Sequence, residues 1–294
     1  MMPHYIEPVF RPPSESRSLI FQITIGCSQN QCRFCGMYKN KSFHTRPLKE
    51  ILVEIAEIPT AYRPRIDRVF LADGDALVYP YEDLCIVLDA LRETFPGLTR
   101  IASYASPNSL TTKNAAQLLT LRSKGFKILY FGLESGDDIT LHEINKGFKS
   151  ERMAELALMA REAGMKLSVT AILGLAGSGR SMQHARATAE WVNHVNPEYF
   201  SLLTMFHRHN DEFVSSLQQC TRRELMLEAR EMLQCLHPAK TILRSNHVSN
   251  FLNLAGSYPK DRERLIADVD MALKHAAVRD GFLDEVPSYQ EEYY

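Results

Sequence analysis

The chain has 294 residues, 45% of them hydrophobic and 23% charged, which is the composition of a globular protein long enough to bury a large core. Its 34 Lys and Arg nearly balance its 35 Asp and Glu, so the net charge produces no electrostatic field that would attract nucleic acid or an anionic membrane. This balance does not exclude a local basic groove. No apolar run approaches the ~18–20 residues of a membrane helix, and the first 21 residues lack the order of a secretory signal, so we expect a cytoplasmic protein without a membrane partner.

Residues 1–17 carry four prolines among polar side chains and predict an extended lead-in. Apolar, β-branched segments then alternate with helix-like stretches. The predicted strands are 18–25, 68–72, 99–104, 127–132, 166–173 and 199–204. The predicted helices are 48–58, 81–94, 112–123, a whole or broken helix over 137–164, and 181–195, followed by helical segments near 222–236 and 260–275.

Strand–helix alternation at this spacing predicts an α/β fold with a parallel sheet. Six units are too few for an eight-unit barrel, so we expect a partial (β/α)6 TIM-like barrel with a C-terminal helical extension. A doubly wound open sheet is the alternative. The expected domains are the lead-in, a core over 18–205 and a mostly helical cover over 206–294. In either architecture, functional residues are expected at the carboxyl ends of the strands.

Three of the six cysteines, Cys27, Cys32 and Cys35, lie together directly after the first predicted strand, with the spacing Cys-x4-Cys-x2-Cys. In a reducing compartment such a cluster indicates metal or redox chemistry, and soft thiolates select an iron–sulfur cluster or zinc. Three ligands leave one iron of a four-iron cluster open to a cofactor or substrate. Zinc is the alternative, since His44 could complete a Cys3His site.

This cysteine segment resembles the cluster loop of the radical S-adenosylmethionine (radical SAM) superfamily, in which three cysteines follow the first strand and an aromatic residue precedes the third. Phe34 stands at that aromatic position. The commonest family spacing is Cys-x3-Cys-x2-Cys, so this chain has one extra residue. The resemblance implies that Cys27, Cys32 and Cys35 hold a [4Fe–4S] cluster and that S-adenosylmethionine binds its open iron.

After the second strand, Asp73, Gly74 and Asp75 stand where the family has a Gly-Gly-Glu-type motif. The resemblance implies that they bind the amino and carboxylate groups of the methionine moiety. A glycine permits close backbone approach, and a carboxylate accepts hydrogen bonds from an ammonium group. A tight turn whose Asp caps the next helix is the alternative.

The segment 132–136 resembles the strand-four motif of coproporphyrinogen dehydrogenases and methylthiotransferases, which implies that Glu134 and Ser135 lie beside S-adenosylmethionine. A helix start at Glu134 is the alternative. By the same resemblance, Ile172 on the fifth strand and Leu202 on the sixth contact adenine.

Ser103 and Tyr104 end the third strand and are expected to face the same mouth of the barrel, Ser103 as a cofactor contact. Tyr104 and His207, which follows the sixth strand, are the candidate catalytic residues. The polar segment 244–250 could cap the barrel and touch substrate, or form a simple polar turn.

The resemblance implies an oxygen-sensitive enzyme that reductively cleaves S-adenosylmethionine, forming a 5′-deoxyadenosyl radical that abstracts hydrogen from a substrate. It also implies an electron donor such as flavodoxin or ferredoxin. A small-molecule substrate is the first expectation, and modification of tRNA or a peptide stays open. Two other classes compete: a zinc-stabilised, non-catalytic α/β binding protein, and a nucleotide-binding regulator that uses the glycine-rich segment 174–179.

Overall fold

A computed structural model describes residues 4–206, 209–276 and 281–287. Its strands are β1 (Leu19–Gln22), β2 (Thr24–Ile25), β3 (His44–Thr45), β4 (Arg68–Ala72), β5 (Arg100–Ala105), β6 (Phe126–Glu134), β7 (Lys166–Leu173), β8 (Tyr199–Thr204), β9 (Thr241–Ser245) and β10 (Leu254–Tyr258). Its α-helices are α1 (Leu48–Glu57), α2 (Tyr81–Thr94), α3 (Pro107–Thr111), α4 (Ala115–Ser123), α5 (Asp138–Glu143), α6 (Ser150–Glu162), α7 (Ser181–Val195), α8 (Asp211–Ser215), α9 (Arg222–Cys235) and α10 (Arg262–Ala276). Short 3-10 helices lie at Pro13–Glu15, Arg63–Arg65, Ala76–Val78, Ser178–Arg180 and Phe282–Asp284.

Local sequence explains where the predicted helices differ from the observed ones. The helix predicted over 112–123 begins only at α4, because the Asn114 side chain accepts a hydrogen bond from the Gln117 N–H and caps the helix there. The segment 137–164 is divided into α5 and α6, because Asn145 (φ 55°) and Gly147 (φ 79°) take the left-handed conformation that ends a helix.

Eight strands form one sheet in the order β1-β4-β5-β6-β7-β8-β9-β10. The pairs β1–β4, β4–β5, β5–β6, β7–β8 and β8–β9 are parallel, and β9–β10 is antiparallel. A doubly wound sheet reverses its strand order at a switch point, and the described strands show no such reversal. The α/β prediction with six successive parallel β/α units is therefore confirmed, and the doubly wound alternative is wrong.

The sequence pattern did not predict β9 and β10, which lie in the region expected to be mostly helical. It also did not predict that 18–25 divides into β1 and β2, of which β2 pairs with β3 in a separate two-stranded ladder. The domain boundaries at 17/18 and 205/206 stay predictions.

By its internal contacts the chain divides into two compact units. The first unit lies within residues 1–30, 37–131 and 156–167, and the second within 31–36, 132–155 and 168–294. The division falls inside the cysteine loop, so that Cys27 belongs to the first unit and Cys32 and Cys35 to the second.

In the first unit, one side of the sheet carries a cluster of aromatic and small apolar side chains, here called the aromatic face. Its members are Ile20, Phe70, Ala72, Ala102, Ile128 and Tyr130, with Tyr104 packed against them. The Tyr104 ring lies 5.2 Å from the Phe70 ring and 6.2 Å from the Tyr130 ring. The side chains on the opposite side of this part of the sheet are fully buried. Among them, the Phe21 ring lies 6.2 Å from the ring of Phe95, at the end of α2.

The segment before β1 packs on the aromatic face. Tyr5 and Val9 contact the cluster, and the Tyr5 hydroxyl donates to the Ile20 carbonyl. Glu15 is fully buried, and its carboxylate accepts hydrogen bonds from Arg100 and Tyr130. Tyr5, Val9 and Glu15 of the expected lead-in therefore pack on the first unit.

In the described residues, no helix is both long and apolar enough to cross a membrane.

Candidate functional site

The amino-terminal half of the cysteine loop is held against the end of β4. The Gly26 N–H donates to the Asp73 carboxylate at 3.0 Å, and the Gly74 N–H donates to the Gly26 carbonyl at 3.0 Å. The Cys27 Sγ lies 3.8 Å from the Gly74 carbonyl oxygen. A Cβ at position 74 would lie 2.5 Å from Cε2 of the buried Tyr38 ring and 3.0 Å from the Cys27 Cβ. Only glycine lets the β4 end approach the first cysteine this closely.

Asp73 forms a buried polar centre. Its side chain is fully buried and accepts hydrogen bonds from Gln22 Nε2 (2.9 Å), Gly26 N and Lys41 Nζ (2.9 Å). Lys41 also donates to the carbonyls of Ile6 and Pro8 at 2.5 and 2.6 Å. These contacts favour a carboxylate that holds the cysteine loop, rather than one exposed to a ligand's ammonium group.

Asp75 is likewise fully buried. Its carboxylate accepts from the Ser106 N–H (2.9 Å), the Ser106 hydroxyl (2.6 Å) and the Ser28 hydroxyl. Ser106 caps α3, and Ser28 is in the cysteine loop next to Cys27. Asp75 therefore joins the cysteine loop to the N-cap residue of α3, while its side chain makes no capping hydrogen bond to the 3-10 helix that directly follows it.

The carboxyl-terminal half of the loop, in the second unit, is anchored by two separate elements. At the end of α5, the Asn145 side chain donates to the Gln31 carbonyl (3.2 Å), and the Ile144 carbonyl accepts from the Arg33 N–H (2.8 Å). The Asn210 side chain donates to the Phe34 carbonyl at 2.7 Å. Backbone contacts thus fix the segment that carries Cys32 and Cys35.

Three thiolates are the soft donor set that an iron–sulfur cluster takes, although in the part of the chain that the structure describes no three His, Cys, Asp or Glu side chains form a group that could hold a metal ion. None of the six cysteines, all within the described residues, forms a disulfide. Cys32 is buried, and Cys27 and Cys35 are half-buried, as expected of thiols shielded from solvent but reachable by a metal. The proposed fourth zinc ligand differs, because the His44 ring is exposed on β3 and its Nδ1 hydrogen-bonds the Ser42 carbonyl at 3.1 Å.

Glu134, at the end of β6, has a left-handed backbone with φ 64°. For a residue other than glycine this conformation is strained and is retained where the surroundings enforce it. The Glu134 carboxylate pairs with Lys146 at 3.1 Å, and the side chains are 13% and 5% exposed. A Cβ at Gly132 would collide with the Glu134 carboxylate. The Asn145–Gly147 turn that follows α5 therefore also supplies the partner of Glu134.

Ser135 is fully buried, and its hydroxyl is hydrogen-bonded within the protein. Its hydroxyl lies 2.7 Å from Nδ1 of His184 on α7, and the His184 Nε2 lies 3.4 Å from the Glu228 carboxylate on α9. All three side chains are fully buried. Sequence reasoning missed His184 and Glu228, because each is an isolated polar residue on an otherwise amphipathic helix.

Ser103 and Tyr104 do not share a face, contrary to expectation. Successive side chains of a strand point to opposite sides of its sheet. Tyr104 lies on the aromatic face, whereas Ser103 is fully buried on the other side and its hydroxyl donates to the Tyr104 carbonyl.

The same rule separates the two predicted adenine contacts. In the parallel register of β7 and β8, Ile172 is opposite Leu203, and Ala171 is opposite Leu202. Ile172 therefore shares its face with Leu203, while Leu202 lies fully buried on the opposite face. One adenine cannot contact both from one side of the sheet.

Two further sequence predictions concerned His207 and the polar segment 244–250. His207 lies outside the described residues. In the segment 244–250, the Asn250 side chain donates to the Leu202 carbonyl (2.7 Å) and the Ser249 hydroxyl accepts from the Thr204 N–H (3.1 Å). The segment therefore contacts the end of β8, and its first two residues belong to β9.

Comparison with known proteins gives one family and a consistent fold. The model of the Radical SAM superfamily matches residues 21–192. The heme chaperone HemW of Bacillus subtilis (strain 168) is 21% identical over 204 residues, which cover 67% of this chain and 53% of HemW, so the chain spans about half of that relative.

Two solved structures share the fold at low identity. Coproporphyrinogen III oxidase (HemN) from Escherichia coli superposes with a TM-score of 0.54 and 19% identity, covering 71% of this chain and 49% of HemN. Methylornithine synthase (PylB) superposes with a TM-score of 0.52 and 16% identity, covering 93% and 83%. These likenesses confirm the partial-barrel fold class. Since the family model matches more than half of the chain, this protein belongs to the radical SAM superfamily, whose enzymes use a [4Fe–4S] cluster and S-adenosylmethionine.

Proposed function

We propose that this protein cleaves S-adenosylmethionine reductively and uses the resulting radical to abstract hydrogen from a small-molecule substrate. The observation that carries the proposal is the trio Cys27, Cys32 and Cys35 in one loop after the first strand of a radical SAM chain. When bound, the cluster and S-adenosylmethionine supply a 5′-deoxyadenosyl radical. The cytoplasm, where cysteines stay reduced, is the proposed location.

The three cysteines would hold the cluster, and the buried side chains around them would fix the loop. Asp73 orients the backbone at Gly26, next to Cys27, and Asp75 orients Ser28 on its other side. Charge-assisted hydrogen bonds of this kind hold a ligand loop in place before the metal arrives. We therefore assign Asp73 and Asp75 to loop support.

The proposed contacts of S-adenosylmethionine are the backbone at Gly74, the Glu134 carboxylate and the Ile172 side chain. Gly74 lies directly beside Cys27, Glu134 keeps part of its carboxylate exposed, and Ile172 lies on the less buried face of β7. Phe34 stays a predicted contact through its position before the third cysteine. Ser103, Ser135 and Leu202 are fully buried, so their support is indirect.

The near-balance of charge supports a small-molecule substrate over tRNA, since a nucleic-acid partner is usually met by an excess of Lys and Arg. Tyr104 is the proposed residue closest to substrate chemistry, because it is the half-buried polar side chain on the aromatic face. Enzymes of this family need an electron donor, and we propose a flavodoxin or ferredoxin in that role.

The test is anaerobic reconstitution with iron and sulfide, reduction in the presence of S-adenosylmethionine, and chromatographic assay of 5′-deoxyadenosine. The wild type should bind about four irons and form the product. Cys27→Ala, Cys32→Ala and Cys35→Ala should each lose both. Cys85→Ala is the matched control, since Cys85 lies on α2 outside the loop, and it should keep both.

Two results would refute the proposal. One is a reconstituted wild type that carries a full cluster and forms no 5′-deoxyadenosine. The other is a colourless protein with one zinc per chain after anaerobic purification, which would restore the zinc interpretation.

A further inference from the structure

We propose that His184 is a positioning residue for Glu134, which it holds in its strained backbone conformation through Ser135. This inference rests on the proposed contact between Glu134 and S-adenosylmethionine.

The first step is the strain at the end of β6. Glu134 is in the left-handed region, where a side chain is tolerated only if neighbouring contacts enforce it. The next two residues supply such contacts. The Ser135 hydroxyl accepts from the Asp137 N–H at 3.0 Å and bonds the His184 ring, and the Gly136 N–H donates to the Thr188 hydroxyl at 2.9 Å.

The second step is that two of these contacts, those from His184 and Thr188, come from a single helix. His184 and Thr188 lie four residues apart on α7, and therefore on the same helix face. A Cβ at Gly136 would collide with the Ala187 carbonyl, so the turn lies directly on the backbone of α7. The geometry of Glu134 is consequently set by where α7 holds its imidazole.

The helix α7 is in turn tied to the end of β7. The Glu228 carboxylate on α9 accepts from the Gly174 N–H (2.9 Å) and from the hydroxyl of Ser181, the first residue of α7 (2.5 Å). The His184 Nε2 lies 3.4 Å from the same carboxylate and makes no hydrogen bond within the described residues. Gly174 directly follows β7, the strand that carries Ile172, so Glu228 links α7, and with it the His184–Ser135 bond, to the end of β7.

Burying the titratable side chains of His184 and Glu228 costs free energy. Burial lowers the pKa of His184 to about 4, against the opposing effect of Asp137, and burial raises the pKa of Glu228 to about 7. Apolar residues of similar volume would fill the same space without a desolvation cost. The buried imidazole is best explained by the directional bond that its Nδ1 makes with Ser135.

The test measures the dissociation constant of S-adenosylmethionine for anaerobically reconstituted protein, with iron content and melting temperature recorded for each variant. Glu134→Ala is the reference and should weaken binding tenfold or more. His184→Gln keeps a polar atom near Glu228 but loses the contact at the Nδ1 position, and it should weaken binding about tenfold, the change expected when one strained residue is released.

His184→Asn is the matched control. Its amide lies at the Nδ1 position and keeps the bond to Ser135, while the contact with Glu228 is lost. Both variants leave a similar cavity and should lose similar stability, but His184→Asn should bind S-adenosylmethionine within about threefold of wild type. Stability alone would not produce this difference.

Each outcome decides a different claim. If Glu134→Ala binds as tightly as wild type, the proposed contact of Glu134 is wrong, and the positioning role is wrong with it. If Glu134→Ala is weakened but His184→Gln binds like wild type, or His184→Gln and His184→Asn are equally weakened, only the positioning role is wrong. Should His184→Gln fail to fold, Ser135→Ala removes the same contact by deleting one hydroxyl and is expected to weaken binding equally.

Discussion

Replacing Lys41 with methionine should destabilise the protein strongly, because it leaves the fully buried carboxylate of Asp73 without a counter-charge. Asp73 would keep its bonds from Gln22 and the Gly26 N–H, while the carbonyls of Ile6 and Pro8 would lose their shared donor. Breaking a buried ion pair by removing one partner costs about 3–5 kcal/mol. At about 2–4 °C per kcal/mol for a domain of comparable size, the melting temperature should fall by about 6–20 °C.

The assay is thermal unfolding followed by circular dichroism under anaerobic conditions, together with iron content after reconstitution. Lys39→Met is the control, since Lys39 is exposed two residues away and should change stability by less than about 0.5 kcal/mol. Lys41→Met combined with Asp73→Asn should recover part of the loss, because no unpaired charge stays buried. Equal melting temperatures for Lys41→Met and Lys39→Met would refute the reasoning.

Three further variants test other parts of the structure. Gly74→Ala places a Cβ 2.5 Å from the Tyr38 ring, so it should cost about 1–3 kcal/mol of stability and lower iron binding. Gly179→Ala is the control, since no atom lies within 4 Å of its Cβ, and it should change neither; comparable iron contents in the two variants would contradict the close-approach argument. Glu228→Gln leaves only His184, whose pKa is lowered from 6.5 to about 4, so the stability of this variant should rise with pH between about 4 and 6.5. His184→Asn leaves only Glu228, whose pKa is raised from 4.5 to about 7, so the stability of this variant should fall as pH rises through that interval. If the melting temperatures of Glu228→Gln and His184→Asn depend on pH in the same direction, the opposite pKa shifts of His184 and Glu228 are wrong.

The main elements could be predicted because their signals are local. The strands β4, β7 and β8 and the helices α2 and α7 begin and end where the apolar pattern predicted. By contrast, β9 and β10 alternate buried and exposed residues over only five positions each. So short an alternation, with polar residues on one face, is hard to distinguish from a polar turn.

In the site, the order of motifs could be predicted, but the direction of each side chain could not. Asp73 and Ser135 have the residue types that a ligand would need, yet their partners lie 51 residues away at Gln22 and 49 residues away at His184. A sequence does not show whether a polar side chain is already paired within the fold. The opposite directions of Ser103 and Tyr104, however, follow from the period of two in any strand and could have been predicted.

The segment that covers the aromatic face has a consequence for ligand size. Tyr5 and Val9 pack on the same surface as Tyr104. Any molecule that reaches Tyr104 therefore meets side chains that precede the first strand, and the dimensions of that molecule depend on residues outside the repeating β/α framework. Exchanging Val9 for a smaller or larger side chain would alter selectivity without touching a strand end.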